Sequence, residues 1–274
     1  MASSNPAFNN SPAFSSNPRI AEKLQRTGSA VSTESTTAAQ LTEMYNASSV
    51  KPAETDRMSY EDTMVKIVVS FVLLLVGAAV GWFIPSLALP ASVVGFGLAM
   101  VNIFKKKPSP AFILSYAAVE GVFVGAITMF FESKSPGIAV QAVLGTLVVV
   151  GVTLALFSFG KVRASKRATK VFFIAMIGYG IFSLINFILV ATGINRDAFG
   201  LSSATVFGIP LGFIIGPIAI IMAAYSLVLD FDNVKTGVQR GAPRIYGWAA
   251  AFGLMVTIIW LYLEILRLIG LARR

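Results

Sequence analysis

Six or seven apolar stretches crowd into residues 64–270, each long enough as a helix to cross a hydrocarbon layer of roughly 30 Å at about 1.5 Å per residue. A soluble domain of 274 residues would not spend 55% of them on apolar side chains and only 13% on charged ones. The chain is therefore expected to be an all-α polytopic membrane protein with seven transmembrane helices. The predicted spans cover about 64–83, 87–104, 111–131, 138–159, 171–192, 206–229 and 245–269. The second is the weakest. It carries Pro90, Gly95 and Gly97 and is expected to be bent or partly re-entrant.

Residues 1–57 are different material. They are rich in Ser, Ala, Asn, Thr and Pro and hold no long apolar run, so they are predicted to form a disordered polar tail ahead of a membrane domain at 58–274. The start lacks the basic and apolar regions of a signal peptide. Asn5-Pro6-Ala7-Phe8 is echoed by Ser11-Pro12-Ala13-Phe14, a spacing that suits docking through two Phe side chains, and 36–46 can form a short surface helix. Ser59, with Asp62 three residues on, marks the start of the first helix.

The sequence holds no Cys and no His, which excludes disulfides, a thiol nucleophile and imidazole metal sites. No serine–histidine arrangement is available, and no Gly-x-Gly-Asp motif accompanies the aspartates. An enzyme, a bound cofactor and a resident metal are not expected. The net charge of +9 does not point to nucleic acid, because the basic residues cluster in short connections. Lys105 to Lys107, the five basic residues from 161 to 170, and Lys235, Arg240 and Arg244 fall on one side of a seven-span chain, against Lys134 and Arg196 on the other. That bias puts the three basic loops and the N-terminus in the cytoplasm and the C-terminus outside.

Small residues recur at helical spacing: Gly77 and Gly81, Gly121 and Gly125, and Gly208, Gly212 and Gly216. Such stripes let backbones approach closely in lipid. Pro210 and Pro217 flank the last set and predict a bend in span six.

Few polar groups interrupt the spans. Glu120 sits near the middle of span three, where a carboxylate must be protonated, paired or hydrated. Asp230 and Asp232, with Asn233, close span six and offer oxygen to a hard cation or a shared proton. Glu264 and Arg267 stand three apart in span seven, as an interfacial ion pair or with Glu264 turned inward toward Glu120. Asn102, Gln141 and Asn186 are weaker polar points.

The span count, the basic loops and three local stretches resemble the Bax inhibitor-1 family, in particular its bacterial YccA-like branch. The stretches are Tyr225-Ser226-Leu227-Val228-Leu229-Asp230-Phe231-Asp232-Asn233-Val234, Leu266-Arg267-Leu268-Ile269-Gly270, and Gly121-Val122-Phe123-Val124-Gly125. Together they extend the likeness over roughly 60–270. The resemblance implies a pH-sensitive calcium leak across a bacterial plasma membrane, governed by an aspartate pair near the cytoplasmic gate. Asp230 matches the first aspartate. The second falls on Glu264 when the Tyr-Leu pair sets the register, and on Thr257 when the terminal Leu-Arg motif does.

The partners so implied are the lipid bilayer, protons and transiently bound calcium ions. The other reading is a non-conducting regulatory or scaffolding membrane protein whose tail recruits partners. Asp230 is expected at the cytoplasmic end of span six and facing the bundle. Its expected neighbours are Asp232 or a basic residue of the 235–244 loop, with Thr257 as a further one. Glu120 is expected about 15 Å away along the membrane normal.

Overall fold

The computed structural model describes residues 56–195, 197 and 199–273. The predicted Phe8 and Phe14 docking repeat, the 36–46 helix and nearly all of the predicted tail lie outside the described residues. Seven helices follow in order: α1 (Tyr60–Phe83), α2 (Ala88–Phe104), α3 (Pro110–Lys134), α4 (Ile138–Ser158), α5 (Lys166–Ala191), α6 (Leu211–Gln239) and α7 (Tyr246–Ala272). All seven are long and apolar enough to cross a membrane. Helices satisfy every backbone polar group within the segment, which hydrocarbon demands.

Ser59 caps α1 as its sequence suggests, its hydroxyl accepting from the Asp62 amide at 3.2 Å. Span two is long and apolar enough to cross as one segment: a 3-10 turn at Pro85–Leu87 leads directly into α2. Pro90 falls in the first turn of α2, where its missing amide proton costs no ladder bond.

Span six departs most from expectation. Residues 206–210 do not begin the helix. Thr205–Val206 (β1) pairs antiparallel with Ile209–Pro210 (β2), in the register Thr205 to Pro210 and Val206 to Ile209. Phe207 and Gly208 form the turn at φ 54° and 82°, the left-handed pair that a two-residue hairpin needs. Gly208 therefore leaves the predicted glycine stripe, and only Gly212 and Gly216 remain on α6. At its other end α6 runs on to Gln239, nine residues past Asp230. Asp230 therefore lies about 13 Å before the C-terminal end of its helix at about 1.5 Å per residue. Pro217 is inside α6 as predicted.

The seventh helix is the axis of the bundle. Met255 and Ile259 pack with Ile113, Tyr116 and Ala117 of α3 and Leu74 of α1. Leu254, Leu261, Ile265 and Leu266 pack with Ala223 and Leu227 of α6 and with Ile138 and Ala142 of α4. The first and third helices meet closest. Side chains at Gly77, Gly81, Gly121 and Gly125 would collide with main-chain oxygens of the facing helix. Much of α2, α4 and α5 presents exposed apolar residues such as Val93, Leu147 and Ile174, the surface that lipid covers.

The chain ahead of α1 is tied down on the side of the basic loops. Arg57 bridges to Pro243, the Met58 amide donates to the Ala242 carbonyl at 2.7 Å, and Met58 is buried. The Asp56 carbonyl accepts from the Arg244 amide at 2.9 Å.

Candidate ion-pathway site

Asp230 faces the bundle. Its Oδ2 accepts a hydrogen bond from the Thr257 hydroxyl of α7 at 2.7 Å, and Thr257 Oγ1 lies 3.2 Å from Ser226 Oγ, one turn back on α6. The approach is possible because α7 carries Gly253 there, where a Cβ would come within 3.2 Å of Asp230 Oδ1. Neither Asp232 nor a basic residue of the 235–244 loop pairs with Asp230 among the described residues. The expected secondary neighbour, Thr257, is its hydrogen-bond partner. The helix continues past Asp230 to Gln239, so Asp230 is more than two turns from the loop that follows α6. Asp232 is half-buried and makes no ion pair among the described residues.

Glu120 stands at the seam between α3 and α2. Its carboxylate occupies the space that a side chain at Gly95 would need, 2.5 Å from the position of that Cβ. It has no hydrogen-bond or ion-pair partner among the described residues. Tyr116, one turn earlier on α3, packs edge-on against Phe252 of α7 with ring centroids 5.1 Å apart. The Phe252–Gly253 step of α7 thus separates Tyr116 from Asp230.

Glu264 does not turn toward Glu120. It is 4% exposed, and its partners are Arg267 (Nη2 to Oε2, 2.5 Å), the Trp260 indole N–H (3.3 Å) and the Tyr179 hydroxyl of α5. Arg267 neutralises the charge, and Tyr179 fastens the outlying α5 to the bundle.

One cluster is missing from the sequence reading. Asp62, there a capping residue, turns its carboxylate to Lys66 and to Arg244, whose Nε and Nη2 approach Oδ1 at 2.9 and 2.7 Å. Lys66 is buried and also donates to the Arg244 carbonyl at 2.6 Å. The hydrogen bond to Asp62 holds the Arg244 guanidinium above the usual arginine range. The signal was present, a lysine inside an apolar run four residues after an aspartate. Asn102 and Asn186 serve local structure: Asn102 donates to the Leu98 and Phe112 carbonyls, and Asn186 accepts from the Leu201 amide at 2.6 Å.

The acids that the helices carry into the bundle thus divide by partner. Asp62 and Glu264 have basic partners, whereas Asp230 has only a hydroxyl and Glu120 has none among the described residues. The sequence matches a family model described as Bax inhibitor 1 like, over residues 5–274. The chain belongs to the Bax inhibitor 1 like family. The match begins well before residue 60, so family likeness takes in the N-terminal segment that the local motifs left out. A search of curated proteins found no match. For this Bax inhibitor 1 like chain, Thr257 stands opposite the aspartate of span six, the position that the Leu-Arg register selects and the Tyr-Leu register does not.

Proposed function

We propose that this integral membrane protein is a non-enzymatic, proton-sensitive cation leak, with calcium as the favoured ion and Asp230 as the controlling group. The supporting observation is Asp230 itself, a carboxylate turned into a membrane bundle with a threonine hydroxyl and no basic partner among the described residues. Such a group is costly unless a proton, a passing cation or water compensates it. Glu120, equally without a basic partner among the described residues, supplies a second acidic point. Oxygen-only coordination suits a hard cation.

The proposed setting is a bacterial plasma membrane with the basic loops and N-terminus cytoplasmic and the C-terminus outside. The charge bias of the loops supports that orientation. The test is calcium entry into sealed proteoliposomes carrying a trapped indicator, compared with empty vesicles and with the Glu120→Gln protein. Protein-dependent entry, reduced by Glu120→Gln, is expected. Vesicles that stay tight with the native protein would instead favour a non-conducting regulator.

A further inference from the structure

The geometry points to a second site, an intramembrane groove between α1 and α4 that seats one acyl chain of a membrane lipid. The cavity holds about 420 Å³, within the roughly 300–1,000 Å³ range of small-ligand sites. Its lips are Leu75 of α1 and Leu147 of α4, both more than half exposed, and its floor includes Gly125 of α3 and Ile259 of α7. The groove exists because α1 is committed elsewhere. Its glycine face is locked onto α3, while α4 packs on α7 and α6, so neither helix can close over the gap.

The chemistry of the wall selects an alkyl chain. Thr146 spends its hydroxyl on the Ala142 carbonyl at 2.7 Å. Thr128 bonds to the Val124 carbonyl at 2.6 Å, and its hydroxyl and that of Tyr262 share a bond at 2.8 Å. No hydroxyl is left over for a polar guest. An apolar hollow of this size stays dry, and left empty it would forfeit dispersion contacts along its whole lining. Trp82, at the rim and next to the last residue of α1, places an indole N–H where a membrane interface begins. The chain would therefore enter from the leaflet opposite the basic loops, with its headgroup near Trp82.

The test uses the full-length protein in vesicles of phosphatidylglycerol or of phosphatidylcholine. Each lipid carries a photoreactive diazirine near the end of one acyl chain. Illumination is followed by peptide mapping and by intact-protein mass spectrometry from detergent. One lipid adduct per chain is expected, on peptides spanning 71–82 and 139–147, with either headgroup. Val143→Trp and Ala139→Phe, two plugs at the groove wall, should each cut the adduct severalfold, whereas Ile174→Phe on the exposed face of α5 should leave it unchanged. Helix content by circular dichroism confirms folding of each variant, and two plugs guard against one failing to fold. Three results would overturn the assignment: labelling spread evenly over all exposed helix faces and unaffected by either plug, an adduct that requires one headgroup, or a dimer mass with no bound lipid.

Discussion

Alanine at Gly125 should unseat α1 from α3. A Cβ there would lie 1.9 Å from the Ala78 carbonyl oxygen and 2.6 Å from its carbon. A carbon approaches a carbonyl oxygen no closer than about 3.3 Å even in favourable contacts. The helices must therefore part by roughly 1.4 Å at that point, which forfeits about half or more of the dispersion energy of the facing pairs. Overpacking of this kind costs about 1–3 kcal/mol. At the same seam a Cβ at Gly81 would lie 2.0 Å from Val122 O, one at Gly121 2.1 Å from Leu74 O and one at Gly77 2.2 Å from Ala118 O, so alanine at any of them should act alike.

Because the first substitution already opens the seam, Gly121→Ala and Gly125→Ala together should cost less than their sum. Gly97, Gly151 and Gly178 have open space where a side chain would go. Alanine there should be neutral or stabilising by up to about 1 kcal/mol. Reversible unfolding in mixed micelles titrated with dodecyl sulfate would measure both groups. A Gly125→Ala protein within about 0.5 kcal/mol of wild type, or indistinguishable from Gly97→Ala, would refute the close-seam reasoning.

Thr257→Val should cost about 0.6 kcal/mol, the usual worth of a hydrogen bond between membrane helices, and should cost nothing further once Asp230→Ala is present; a double-mutant cycle in micelles checks this. Asp62→Ala strips Lys66 of its carboxylate in a buried position and should destabilise by about 1–3 kcal/mol; Asp62→Leu combined with Lys66→Met should restore most of the loss in the same unfolding assay. Glu264→Ala leaves both Arg267 and Tyr179 without their acceptor, so hydrogen exchange along α5 should rise before that of α7; equal exchange in the two helices would contradict the tether.

The parts of the fold governed by apolar length were legible in the sequence. Helices α1, α3, α4, α5 and α7 fall where their hydrophobic runs lie, because length and hydropathy decide insertion on their own. The start of span six was misplaced. Val206, Phe207 and Ile209 are apolar yet form a hairpin, since Gly208 and Pro210 decide the backbone there. Residues 231–239 are mostly polar yet remain helical, with Phe231 and Val234 packed against the core. With span six taken to end at Leu229, Asp232 or the basic loop was expected beside Asp230 and Thr257 as a further neighbour, whereas Thr257 is its hydrogen-bond partner. The Asp62–Lys66–Arg244 cluster was hidden for another reason: Arg244 is distant in sequence, and only the fold brings it to Asp62.

The most direct measurement of the role proposed for Asp230 is the initial rate of calcium entry into proteoliposomes from mildly acidic to mildly alkaline pH. Native protein and Asp230→Asn would be compared at equal protein density. The expected result is a calcium leak whose rate changes across this range in the native protein and is nearly flat with pH in Asp230→Asn, because the asparagine cannot exchange a proton. A leak with the same pH profile in both proteins would contradict it.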